Sequence, residues 1–162
     1  MQKKLNDIIQ NQPEFKIDSQ NFANEILVDE LINGSDFEVI KLSVCQFQNC
    51  DIIYGDFIKC RFEDCIFHKG LWRKSNFRHC VFKNCTLMGI EVTRVEFLDT
   101  PFIDCTFDNL DFASSLFLDC EVENTHFRNL KFDLKNPTLV SNSKTSIKVT
   151  NSESFQEAII VD

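Results

Sequence analysis

Residues 60–85 read CRFEDCIFHKGLWRKSNFRHCVFKNC: four cysteines, four phenylalanines and a tryptophan set among alternating charges. Cys60, Cys65, Cys80 and Cys85 are spaced like metal ligands or disulfide partners, and which role they play decides the reading of the whole chain. The spacing around them gives the answer. Every residue whose number leaves remainder two on division by five, from Phe37 to Phe132, is large and apolar, and 14 of these 20 are Phe. Two places earlier, from Ser35 to Leu130, every residue is uncharged and most are small. All eight cysteines (45, 50, 60, 65, 80, 85, 105 and 120) fall in that second class. Chance would place them in one class of five about once in 10⁵ trials, so the register is a structural repeat.

A period of five belongs neither to a helix nor to a long strand. It calls for a short extended step with two inward side chains, then a turn. One such unit cannot bury its inward pair alone, so the chain must coil and stack on itself.

Consecutive units such as CRFED, CIFHK, GLWRK, SNFRH, CVFKN and CTLMG are similar to those of the pentapeptide-repeat proteins, whose unit has a large apolar centre and a small residue two places before it. The match covers 35–132 without an insertion. The resemblance implies an all-β fold: a right-handed, four-sided β-helix of four units per coil. Twenty units make about five coils, a rod of roughly 24 Å at strand spacing. Residues twenty apart then stack. Phe37, Phe57, Phe77, Phe97 and Phe117 form one column and Cys45, Cys65, Cys85 and Cys105 another. The cysteines occupy the place of Ser, Gly and Thr and act as small, buriable filler. Zinc would need converging ligands, and disulfides would need thiols turned toward each other; neither explains the shared register. Trp72, the bulkiest residue of its column, is expected inward, balanced by Gly70.

The expected organisation is an N-terminal cap over 1–34, the β-helix over 35–132 and a C-terminal tail over 133–162. Gln20, Glu25 and Glu30 would put long polar groups in the small-residue slot, at a cost if buried unpaired. NEILVDELING (residues 24–34) therefore suits a short helix or irregular first turn ending at Gly34. Beyond 132 the pattern stops. SIKVT reads as a strand and SFQEAIIVD as a short helix with Ser154 and Glu157 as a capping box. That end caps the last turn, meets a second copy as in two-fold family dimers, or trails as a tail.

The net charge of −8 and pI near 4.9 argue against direct binding to nucleic acid or an anionic membrane. No apolar run reaches the ~20 residues of a membrane span, and the N-terminus lacks the apolar core of a secretory signal. A cytoplasmic protein with reduced thiols is expected. His68, His79 and His126 form no cluster, and no catalytic or phosphate-loop motif occurs. The reading is of a non-enzyme without metal or cofactor.

The outward residues divide by side. Side A, built on the Phe37 column, carries Asp36, Glu38, Asp56, Glu96, Asp99 and Asp119 against Lys59 and Arg78. Side B, next to it, carries Glu63, Asp64, Asp104, Glu121 and Glu123 against Lys41, Arg61 and Lys83. Eleven acids and five bases leave −6 on these two sides, and the other two sides, C and D, carry +2. The resemblance extends to members that bind DNA gyrase and topoisomerase IV as acidic DNA mimics, although this chain lacks the surface loops of the larger quinolone-protection proteins. It implies a type II topoisomerase as the protein partner of the acidic half. The alternative is a general interaction scaffold using the apolar cluster Leu98, Leu116 and Leu118 with Ile58.

Overall fold

Each five-residue unit folds as one side of a coil. The computed structural model describes residues 4–11, 14–133, 135–136, 138–141 and 149–150. Most strands have only three residues, and their central side chain points inward. The next residue but one after each centre takes a left-handed conformation, from Ser19 (φ 52°) through Lys59 (φ 54°) to Asn129 (φ 51°). Left-handed backbone is costly for most side chains and least so for Gly, Asn and Asp. Asn or Asp stands at eleven of these corners, from Asn24 to Asn129. Val39, Val44 and Tyr54 take it as well, and what holds them is the neighbouring coil: the Val39, Val44 and Tyr54 amides donate to the carbonyls of Ile58, Glu63 and Arg73 at 2.9, 2.9 and 3.1 Å.

The coils stack in parallel with a twenty-residue register: Phe37 pairs with Phe57, Phe57 with Phe77, and Phe77 with Phe97. Side A is a seven-stranded sheet running from Lys16–Asp18 to Leu139–Ser141, and side B a second one from Asn21–Ala23 to Val149–Thr150. Sides C and D join into one ten-stranded sheet, because Ile66–Arg73 and Thr86–Thr93 run as continuous strands around their shared corner. The result is an all-β solenoid of about six coils.

The core is the two inward classes. The Phe37, Phe57, Phe77, Phe97 and Phe117 rings stack face to face at 4.4–5.1 Å between centroids. All eight cysteines are free thiols, and all are buried. Each is tied in the same way as the hydroxyls that share its class. Cys80 Sγ donates toward Phe57 O at 3.3 Å and Arg78 O at 3.5 Å. Thr100 Oγ1 makes the equivalent bonds to Phe77 O and Leu98 O, and Ser75 Oγ those to Ile52 O and Arg73 O. Where the small slot holds Cys, Ser or Thr, the side chain donates to the coil below; Ile40, Ile90, Val95 and Leu110 fill the same slot by packing alone. Burial pushes the Cys120 thiol up to about 12 and raises that of Cys50, because a thiolate loses its hydration there.

Trp72 is 1% exposed, stacked on Phe77 at 5.1 Å and edge-on to Phe67 at 5.2 Å. Gly70 makes a closely related fit. Its φ is +126°, and a Cβ there would lie 2.1 Å from Cys50 O.

The N-terminal segment departs from expectation. NEILVDELING is no helix: Ile26–Val28 and Leu31–Asn33 are strands on sides C and D, and the coil starts at Lys16. The helix lies earlier, at Leu5–Asn11, with Leu5 and Ile9 buried over the open end. Glu25 and Glu30 are admitted to the small slot because no coil lies below them. Glu25 Oε1 accepts from the Leu5 amide at 3.4 Å, and Glu30 Oε1 accepts from Gln10 Nε2 at 2.7 Å. The polar side chains that disrupt the repeat thereby tie down the cap.

At the other end the coil outlasts the five-residue register. Leu139–Ser141 adds to side A, pairing Leu116 with Leu139 at a spacing three residues longer than the repeat, and buried Thr138 takes the small slot above Ser115. Val149–Thr150, within the expected SIKVT strand, adds to side B. The expected helix SFQEAIIVD lies outside the described residues.

Candidate acidic interface

Register sets the acidic face. On side A one column reads Lys16, Asp36, Asp56, Asn76, Glu96 and Leu116, and the other Asp18, Glu38, Ile58, Arg78, Leu98 and Leu118. The corner between sides A and B stacks Lys59, His79, Asp99 and Asp119. Including the first coil, Lys16 and Asp18 cancel on side A, while Asp29 and the cap-bound Glu25 and Glu30 take sides C and D from +2 to −1. The −6 of sides A and B stands.

The charge is not evenly available. Glu63 meets Lys41 Nζ at 2.7 Å and Arg61 Nη2 at 3.1 Å, and these two cations hold its carboxyl below the ordinary range. Glu38 faces Lys16 at 3.7 Å, and Asp99 pairs with His79 Nδ1 at 3.0 Å. Asp64 accepts from Asn84 Nδ2 at 2.6 Å, a bond that leaves its charge in place. Asp36, Asp56, Glu96, Asp104, Glu121 and Glu123 have no ion-pair partner among the described residues. Asp56 is half-buried, with Oδ1 enclosed and unbonded; Asp119 is also partly buried.

The face therefore has two acidic lobes. One is the Asp36–Asp56 column on side A, continued beyond Asn76 by Glu96. The other gathers Asp99, Asp104, Asp119, Glu121 and Glu123 toward the C-terminal end. On side B beside the first lobe, the Lys41–Glu63–Arg61 cluster carries a net +1, a pairing across coils that the tally of charges by side does not show.

The apolar cluster is only partly continuous. Leu98 stacks on Leu118, and Leu116 lies on the same strand. Arg78 separates Ile58 from Leu98. All four apolar side chains are half-buried. The strand Leu139–Ser141 extends the sheet beside Leu116–Leu118.

Elsewhere, among the described residues, no group of three or more His, Cys, Asp or Glu is placed to hold a metal ion. No described helix is long and apolar enough to cross a membrane.

No family model matches the chain, and no curated protein matches it. Several solved structures are similar. A pentapeptide-repeat protein, Rfr23, from the cyanobacterium Cyanothece 51142 is 12% identical, with 76% of this chain and 89% of that one covered at a TM-score of 0.38. Trypsin-treated QnrB1, a plasmid-mediated fluoroquinolone resistance protein, is 9% identical, with 90% and 94% covered at 0.36. Full-length QnrB1 is 10% identical, with 87% and 95% covered at 0.27. At such identities and scores these likenesses transfer no partner or activity. The chain's own features establish the fold: an unbroken five-residue register from Phe37 to Phe132, carried back to Ile17 by the coil, builds a parallel four-sided solenoid with twenty residues per coil.

Proposed function

We propose that this protein is a non-enzymatic acidic rod that binds a type II topoisomerase, DNA gyrase or topoisomerase IV, in place of DNA. The observation that carries the reading is the −6 concentrated on two adjacent sides of a rigid solenoid. A duplex carries one charge per ~1.7 Å of axis, so ~24 Å of it presents roughly 14, about half of them toward any one side. The acidic half of the rod supplies a similar charge over a similar length. A basic groove built for DNA would attract it through the same long-range field. The stacked register matters as much as the sum, since it fixes the carboxylates on a scaffold that need not be ordered on binding.

The test is enzymatic on the partner. Purified protein is added to gyrase and to topoisomerase IV in supercoiling and decatenation assays, with and without a quinolone. The expected result is altered activity, or protection from the drug, that weakens as salt rises. No effect on either enzyme at high micromolar protein would overturn the proposal. The interaction scaffold using Leu98, Leu116 and Leu118 would then lead, and a dimer through the C-terminal residues would be tested by sedimentation.

A further inference from the structure

The edge where side D meets side A, next to the Asp36–Asp56–Glu96 column, holds a different feature. At the corner between sides D and A, Tyr54, Lys74 and Arg94 stack one coil apart, each in the left-handed conformation. Arg73 precedes Lys74 on the same coil. Arg73, Lys74 and Arg94 are all exposed, and none is ion-paired to a carboxylate among the described residues. With Thr93, Ser114, Asp133 and Asn136 they line an open groove of about 410 Å³.

Like charges stacked at strand spacing repel one another, by about 1 kcal/mol per pair in water-like surroundings. Several other corner stacks set a charged residue against a partner of opposite or neutral character, as in Asn49–Asp29, Asn84–Asp64 and His79–Asp99. Here Lys74 Nζ meets the Tyr54 hydroxyl at 2.9 Å and lies 5.1 Å from the centre of that ring. The field of the cluster reaches Tyr54, whose phenol is lowered first by Lys74 and further by Arg73 and Arg94. Among the described residues one carboxylate lines the groove, and it is already engaged: Asp133 accepts from the amides of Lys135 and Asn136 at 2.9 and 3.3 Å and from Asn136 Nδ2 at 2.9 Å. The groove thus carries three cations against one tethered acid, with the Thr93 and Ser114 hydroxyls as further donors.

We propose that this groove binds a phosphate monoester dianion. Two guanidinium groups offer forked donors that match phosphoryl oxygens, and Lys74 adds a point charge. The net charge of the lining calls for a dianion. The groove is several times larger than a phosphoryl group, which points to one carried on a larger molecule. The site borders the Asp36–Asp56–Glu96 column, but its lining residues are not those of the acidic lobes, and it does not depend on a topoisomerase being their partner.

The test is titration of the full-length protein with O-phosphoserine, serine, inorganic phosphate and sulfate at constant ionic strength, followed by amide NMR and calorimetry. The expected result is a saturable response at Thr93, Arg94 and Ser114, tighter for phosphoserine than for phosphate or sulfate and absent for serine. The double variant R73Q/R94Q should weaken phosphoserine binding at least tenfold, whereas the charge-matched K59Q/K69Q, at other corners, should leave it unchanged. Matching circular dichroism and thermal midpoints establish that both variants fold. Three results would each overturn the proposal: phosphoserine binding no tighter than sulfate, affinity unaffected by R73Q/R94Q, or equal losses in the two double variants.

Discussion

Phe77→Ala probes the packing logic at its most demanding point. The ring is 1% exposed and lies face to face between Phe57 at 4.7 Å and Phe97 at 5.1 Å. Trp72 stacks on it at 5.1 Å, and Phe62 and Phe82 tilt against it at 6.1 and 5.6 Å. Truncation removes a buried side chain whose transfer is worth about 2 kcal/mol. It also leaves a cavity of roughly 100 Å³, worth about 2.4 kcal/mol if the walls do not collapse. Collapse is restricted because the strands above and below are pinned by the ladder. The expected loss is therefore about 4 kcal/mol, in the middle of the ~3–5 kcal/mol range for emptied aromatic sites. In urea titration, with m about 2 kcal/mol/M, the midpoint should fall by about 2 M. Lys59→Ala, at an exposed corner of the same side, should cost no more than about 0.5 kcal/mol. Equal losses in the two variants would refute the inward–outward assignment.

Native thiol labelling should be slow at all eight cysteines and complete in denaturant, because every Sγ lies inside the coil; rapid native reaction at several would contradict the burial. Gly70→Ala should cost at least about 2 kcal/mol in the same urea assay, since a Cβ would lie 2.1 Å from Cys50 O and the backbone is at φ +126°; a neutral effect would show that the corner can relax. Glu63 should titrate by NMR below the ordinary carboxylate range, and Lys41→Met should raise its pKa. The sign follows from linkage: a carboxyl depressed in the folded state contributes stability above its unfolded pKa, and that contribution is lost as pH falls through the lower folded value. No rise in Lys41→Met would remove the ion pair as the cause.

The coil was legible from the sequence because both inward classes repeat without interruption for twenty units, and a buried slot tolerates little variation. The cysteines were read as filler on the same ground, and their bonds to the coil below add why Ser and Thr share the slot. The ends were less legible for a physical reason. The first coil has no layer beneath it, so Glu25 and Glu30 could replace small residues and bind the helix Leu5–Asn11, which erases half the repeat while Phe22, Leu27 and Ile32 keep the other half. At the far end the chain inserts residues into its turns, so Thr138 and the strand after it rejoin the coil out of phase with any five-residue count. In the acidic face, side assignments followed from register alone. Which acids are neutralised did not, because Glu63 is paired by Lys41 from the coil below as well as by Arg61 on its own strand.

The proposal that the acidic half stands in for DNA is tested most directly by binding of matched charge variants to gyrase. One variant carries D56N, E96Q, D99N and D119N, all on side A and its corner. The other carries D51N, E91Q, D108N and D111N on the remaining sides. Each removes four acids, so net charge changes equally and only placement differs. The account expects the first to lose at least tenfold in affinity at physiological salt, the second to lose much less, and the wild-type affinity to fall steeply as salt rises. Equal losses in the two variants, or wild-type binding indifferent to salt, would contradict it.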